Sequence, residues 1–542
     1  MIRHLGKFLV VLALVFVLSL PFLLRNPGNP TRSAQDTVII ITPHTESIRQ
    51  EFGRGFERWY EEKTGRSVYV DYRVIGGTSE IGKFLDSEYT NSFRNHWENE
   101  LVRKWSLEVQ EAFNNARIKI DDTPGDDSQA ESARRAYLTS NASSGIDVFF
   151  GGGAYDLSVQ AARGALVDAG LLDKHPDWFQ EKAISGTVPP AIPQTLAGEE
   201  FFDAEGRWYG AVLSTFGIIY NRDSLRRLGI ESEPRQWTDL ADPRYFGEIA
   251  LCDPTKSGSM NQAFEMIIQQ QMHESLQSGE TLSEGWLRGM QLVQMMSANA
   301  RYFSDTSQKT NIDVAMGDCA VGMSIDFYGR FQQENIIARG GDKRFVFHTP
   351  AGGSSVSTDP IGLLRGAPNR EVAVAFMEFV LSLEGQKLWN FKVGSAGGPE
   401  TYALRRPPIR PELYQKKWNR YRSDADYNPY LASGTFTYRR DWTGSLFSEI
   451  RTIIRVCFID VRKELVEAWA AIIQARGEGR LEDANRAESI MQDLTRVSYH
   501  EASTTIDAAL KAPRIEEMKL SRGLSLHFRD QYIRARMVAE GN

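Results

Sequence analysis

Cysteine is nearly absent from this 542-residue chain: Cys252, Cys319 and Cys457 stand far apart, and none forms a C-x-x-C pair. An odd, sparse set argues against a disulfide framework and against a cysteine metal centre, and leaves three small buried hydrophobes. A basic excess is missing as well. The 63 Lys and Arg against 70 Asp and Glu give a net charge of −7, so nucleic acid is not an expected partner. Enzyme signatures are missing too, with no H-E-x-x-H, G-x-S-x-G or G-x-G-x-x-G. Gly77-Thr78-Ser79-Glu80-Ile81-Gly82-Lys83-Phe84 nearly spells a phosphate loop, but Phe84 stands where a magnesium-binding hydroxyl belongs. The chain is expected not to be an enzyme. No fixed-period repeat is present. Long uncharged runs occur once, from Phe8 to Leu24, after Arg3, His4 and Lys7 and before Arg25. That run predicts a retained membrane anchor with its positive end inside, ahead of a cleaved signal; either exports the rest.

What remains is an ordinary globular composition, 42% hydrophobic and 25% charged, in a chain too long for one core. After a linker over Asn26–Asp36, Thr37–Ile41 reads as a buried strand ending at Thr42-Pro43-His44-Thr45-Glu46. Ile48, Phe52, Phe56 and Trp59 then recur at helical spacing, and Gly65 ends that helix. A second strand, Val68–Val74, runs into Gly76-Gly77-Thr78 and another helix start. Two strand–loop–helix units in succession imply a parallel sheet with ligands at the carboxyl ends of its strands. The stripe Trp97, Leu101, Trp105, Val109 and Phe113 predicts one amphipathic helix inside an insertion over residues 89–140. Ile146–Phe150 predicts a strand ending in Gly151-Gly152-Gly153, where a ligand can approach the backbone.

Val212–Tyr220 is expected to be one continuous strand, broken at Asn221-Arg222-Asp223. Glu248–Cys252 reads as a strand that leads through Asp253-Pro254-Thr255-Lys256-Ser257-Gly258-Ser259 into a helix from Met260. Small polar residues at such a helix N-terminus attract anions through unpaired N–H groups and the helix dipole. Met316–Ile325, Phe345–Thr349 and Val356–Leu364 complete the strands, and Ser445–Ala475 predicts one long helix, with more helix over Leu481–Val497 and Thr504–Lys511.

Gly217-Ile218-Ile219-Tyr220-Asn221, followed by Pro234-Arg235-Gln236-Trp237-Thr238-Asp239-Leu240-Ala241-Asp242-Pro243 and the block ending Asp253 to Gly258, resembles the extracellular solute-binding proteins of ABC transporters, in their ferric-iron-type branch. The resemblance covers about residues 36–400, departing at Gln236, where serine is usual, and at Leu383, where proline is usual. It implies an α/β, two-lobed type II periplasmic-binding fold with an N-terminal membrane anchor, a helical insertion and a helical C-terminal extension. Lobe I would take residues 37–211 and 355–403, lobe II 212–354, and the extension 404–542.

The same resemblance implies a receptor in the bacterial envelope that captures a small anionic solute, phosphorylated or carboxylated, by hinge closure and hands it to an ABC permease. Its ligand residues would be His44, Glu46, Gly77, Thr78, Gly152, Gly153, Thr215, Ser257, Gly258, Ser259, Thr306, Asp326 and Tyr328. No cofactor is required. Ferric iron is the alternative ligand, through His44 and Tyr328, although Phe327 replaces one of the two adjacent tyrosines that iron-binding members use. A membrane-anchored sensor or scaffold uncoupled from transport is the other alternative.

Overall fold

The computed structural model describes residues 34–120, 127–183 and 186–541. The apolar run Phe8–Leu24 lies outside the described residues, and none of the described helices is long and apolar enough to cross a membrane.

β1 (Asp36–Ile41), α1 (Glu46–Thr64) and β2 (Val68–Arg73) form the first parallel unit. Ile48, Phe52, Phe56 and Tyr60 of α1 are buried against it, as the spacing requires. α2 (Thr78–Asn95) follows and continues into a wider π turn over His96–Glu100. The single helix expected through Trp97–Phe113 is not formed. The chain turns after Leu101, with Val102 at φ 52°, and resumes as α3 (Leu107–Ala112). A left-handed backbone at a β-branched residue is a true break in a helix. Trp97, Val109 and Phe113 still bury, because Phe93 and Tyr137 of α4 (Gln129–Thr139) offer them one aromatic cluster. The periodicity found the core residues but not the path between them.

β3 (Val148–Phe150) pairs with β1, and α5 (Ala154–Arg163) leads to the short β4 (Leu166–Val167). β5 (Phe179–Lys182), β6 (Ile192–Leu196) and β7 (Glu199–Glu200) make a small separate sheet without a strong sequence signal. The strand expected over Val212–Tyr220 is two strands. β8 (Trp208–Ser214) and β9 (Phe216–Asn221) are split at Thr215 because they belong to different sheets. A run buried at every position gives no sign of where the chain changes sheets.

The second sheet continues with β10 (Ile249–Cys252), α6 (Gly258–Gln277), α7 (Leu282–Asn299), β11 (Ala300–Ser304), α8 (Ser307–Met316), β12 (Val321–Ile325), α9 (Asp326–Ala338) and β13 (Phe345–His348). β14 (Ser357–Leu364) returns to the first sheet, followed by α10 (Arg370–Leu381) and α11 (Leu383–Asn390). The strand orders are β2-β1-β3-β14-β4, with β8 also on β14, and β11-β10-β12-β9-β13. Each sheet therefore has a parallel core crossed by one antiparallel strand, β14 in the first and β9 in the second.

Residues 404–430 lie on the first lobe: Leu213 N–H donates to Pro407 O, and Ile409 and Tyr430 join that core. The remainder covers the second lobe with α12 (Phe447–Ile454), α13 (Arg462–Gly477), α14 (Leu481–Met491) and α15 (Arg514–Glu540). The long helix expected over Ser445–Ala475 is interrupted at Asp460-Val461, and α15, 27 residues long, had not been anticipated.

Candidate ligand-binding cleft

A cleft of about 420 Å³ opens between the two sheets at the ends of their parallel strands. It is where helices begin. The loops opening α1 and α2 reach it from the first lobe through Thr45, Gly77 and Thr78, and those opening α6 and α8 from the second through Ser257, Gly258, Ser259, Thr306 and Ser307. Thr45 Oγ1 bonds Ser47 Oγ at 2.9 Å rather than a backbone N–H, Thr306 gives no side-chain cap, and Gly77 has no side chain to give one. Ser257 Oγ accepts only from Met260 N–H, at 3.3 Å. Helix N-termini whose first N–H groups are left uncapped present donors and partial positive charge to one volume.

Two cations add to this field, Arg49 from the first lobe and Lys256 from the second. The lobes nearly touch across the cleft: a Cβ on Gly77 would stand 3.0 Å from Lys256 O, and one on Gly258 would stand 3.1 Å from Thr78 Oγ1. Gly151 and Gly152 hold φ of 97° and 104°, and side chains there would collide with the His44 ring and with Thr78 Cγ2. Those glycines let His44 and Thr78 pack against the end of β3.

Of the residues singled out from sequence, His44, Gly77, Thr78, Gly152, Ser257, Gly258, Ser259, Thr306 and Tyr328 line this one cleft. Glu46, Gly153, Thr215 and Asp326 do not. Glu46 is exposed in the first turn of α1, and Gly153 caps α5. Thr215 is buried at the crossing between sheets, and its carbonyl accepts from Asp326 N–H. Asp326 is wholly buried, and burial raises its pKa to about 6 against the opposing charges of Arg330 and Arg406.

Burial also sets the other titratable groups. His44 is held well below the ordinary imidazole range by desolvation and then by the charges of Arg406 and Arg49, so the ring is neutral. Burial pushes the Tyr328 phenol up to about 12. The sequence reading missed Arg49, Lys256, Asp305, Gln308 and Asp359 on the cleft wall, the first two being neighbours of loops it had noted.

It also missed Arg406, which has no local signal. Arg406 is completely buried, lies 4.1 Å over the Phe327 ring, and donates through Nη2 to Ser214 Oγ and Asp359 Oδ2, each at 2.6 Å. It thereby joins the end of β8 to β14, the two strands that carry the chain between lobes.

A second, smaller cavity of about 240 Å³ lies where α5, β7 and α6 meet the C-terminal extension. Glu199 and Glu265 face it, both buried and both raised to about 7 by desolvation. Glu199 accepts from Gln262 and Ser355, and Glu265 accepts from Tyr438 and Thr443.

Residues 144–400 match the family model of bacterial extracellular solute-binding proteins. Among curated proteins, the chain is 26% identical over 263 residues to Iron uptake protein A2 of Synechocystis, covering 46% of this chain and 66% of that one. It is 22% identical over 227 residues to the phosphoglycerate transport regulatory protein PgtC of Salmonella typhimurium, covering 41% and 50%. An uncharacterized protein of Haemophilus influenzae is 22% identical over 243 residues, covering 45% and 60%. The chain thus spans half to two thirds of the length of these relatives. Among solved structures, the periplasmic binding protein AfuA of Actinobacillus pleuropneumoniae aligns over 78% of this chain and 98% of its own, at 16% identity and a TM-score of 0.47. Residues 144–400, which carry one side of the cleft and both crossings between its lobes, are thus similar to the bacterial extracellular solute-binding proteins.

Proposed function

We propose that the interlobe cleft captures a small anionic organic solute, phosphorylated or carboxylated, and that the chain is an envelope receptor of type II periplasmic-binding architecture serving an ABC importer. One observation carries the anion: four helices, two from each lobe, begin at one cleft, with Arg49 and Lys256 beside them. An oxyanion there would accept N–H groups that the chain leaves uncapped, and it would do so from both lobes at once. A ligand bridging both lobes binds the closed form better than the open one, which is all that hinge closure requires.

Ferric iron is the second reading, favoured by His44 and Tyr328, which line the same cleft from opposite lobes. Against it stand the two cations, Phe327 in place of a second phenol, and a Tyr328 proton held to about pH 12. Among the described residues no cluster of three His, Cys, Asp or Glu side chains could hold a metal.

The test is thermal unfolding of the full-length protein with sugar phosphates, phosphoglycerate, dicarboxylates and ferric citrate. A ligand at about a hundred times its Kd stabilises by roughly 2.7 kcal/mol. A shift with an organic anion that is lost in Lys256→Glu supports the proposal. A shift with iron alone, lost in His44→Ala, replaces the anion by the metal. No shift with any member of the panel moves the chain to the sensor or scaffold reading.

A further inference from the structure

α15 buries one face and leaves the opposite one open. Leu524, Phe528, Gln531, Tyr532, Ala535 and Ala539 pack inward on α13 and α14. On the outer side Ile515, Met518, Leu526, Ile533 and Met537 are each 43–58% exposed. Their spacing, with Arg522 and Asp530 filling the gaps, follows one stripe of a helix about 40 Å long. Isolated exposed apolar residues need no explanation, but five aligned on one stripe of a helix already anchored by its other face do.

The stripe is also symmetric about Leu526. An antiparallel copy with a two-fold axis through that residue brings Ile515 opposite Met537 and Ile533 opposite Lys519 and Met518. It also sets Arg522 opposite Asp530, so charges of opposite sign meet on either side of the axis. Neither Arg522 nor Asp530 has an ion pair among the described residues. Gly523 is the second observation. Glycine inside a helix costs about 1 kcal/mol relative to alanine, and here a side chain would meet nothing within 4 Å. Nothing in this chain uses that gap; an approaching helix would. A lipid surface would gain nothing from an acid in the stripe, and an unrelated partner would not require the pattern to read the same from both ends.

We infer that α15 is the dimerisation surface of this protein, pairing antiparallel with α15 of a second copy about an axis at Leu526. Such an isologous contact uses one patch twice, so each Arg522–Asp530 pair occurs twice. Contact of the end residues requires a small crossing angle of the kind that long helix pairs adopt. The dimer would join two receptors through their second lobes and leave both clefts free.

Sedimentation of the full-length chain in mild detergent tests this. The expected result is a concentration-dependent monomer–dimer equilibrium, abolished by Leu526→Arg with the melting temperature unchanged. Arg522→Asp turns two attractions into two repulsions and should weaken association about tenfold. Adding Asp530→Arg to it restores opposite charges and should recover the dimer. Leu526→Cys should give a disulfide-linked dimer on mild oxidation; the three native cysteines are buried and do not compete. A chain that stays monomeric at every concentration overturns the inference. So does a dimer indifferent to Leu526→Arg, or a charge swap that fails to recover association.

Discussion

The two lobes share a plan and differ in how their cores are closed. The first lobe completes its own. α1 and α10 pack on its sheet through Phe52, Phe56, Phe376 and Phe379, and the insertion adds a separate aromatic cluster around Phe93. The extension contributes only short pieces there, such as Ile409 and Tyr430. The second lobe does not close by itself. Its apolar core runs without interruption from Phe216 and Trp286 into Ile450, Phe458, Trp469, Phe528 and Tyr532 of the extension. Polar ties follow the same route: Trp286 Nε1 donates to Val497 O, Trp469 Nε1 to Asn299 Oδ1, and Gln294 Nε2 to Met491 O. The extension is therefore the outer half of the second lobe's core, and helices α6 and α7, buried on nearly every side, are explained by being covered on both.

That difference can be broken most sharply at Trp469, which is 1% exposed. Trp469→Ala should cost about 3–5 kcal/mol, and hydrogen exchange should rise through α6 and α7 while β1–β3 stay protected. Equal loss of protection in both lobes would show a single cooperative unit instead. Arg406 is the next test, because it ties the lobes where the chain crosses. Arg406→Met leaves Asp359 buried beside it without its charge partner, a loss of about 3 kcal/mol for a buried pair. The melting temperature should fall, with exchange rates accelerated near Ser214 and Asp359 at the crossing.

A pH series sharpens the comparison at the junction of α5, β7, α6 and the extension. Folded Glu199 and Glu265 keep their protons up to about pH 7, whereas in the unfolded chain they lose them near the ordinary 4.5. The folded state therefore binds more protons at these two groups across this window, and their contribution to stability should be fully present below about pH 4.5 and decline as pH rises through 7. Glu199→Gln should flatten that decline. The smallest effect belongs to the first lobe's surface: Arg58 and Glu400 pair at 2.5 Å, but both are about half exposed. Arg58→Ala should change stability by less than about 1 kcal/mol, less still in high salt.

Local pattern made much of this legible. The alternation of strand, small polar loop and apolar helix marks β1–α1–β2 and β10–α6 because each step has a physical signature within ten residues. Gly77, Thr78 and Ser257–Ser259 followed from their places at strand ends and helix starts, and His44 from the family resemblance. Thr215 and Asp326 looked equally eligible, yet both are buried in the crossing, since proximity in sequence to a strand end does not say which way a side chain faces. The apolar stripe of Trp97–Phe113 predicted burial correctly at Trp97, Val109 and Phe113 but not at Leu101, which is exposed, and it predicted a helix incorrectly, because tertiary packing fixed the core residues without fixing the backbone between them.

By itself the sequence determined the alternating α/β pattern and the small polar loops between strand ends and helix starts, both set by neighbouring residues. The tertiary structure alone decided that four helices begin at one cleft, that the chain changes sheets at Thr215, and that Arg406 joins both crossings. It also decided that Trp469 completes a core begun more than two hundred residues earlier, at Phe216. These depend on which surfaces meet after folding, and contacts between residues so far apart leave no period or motif in the chain.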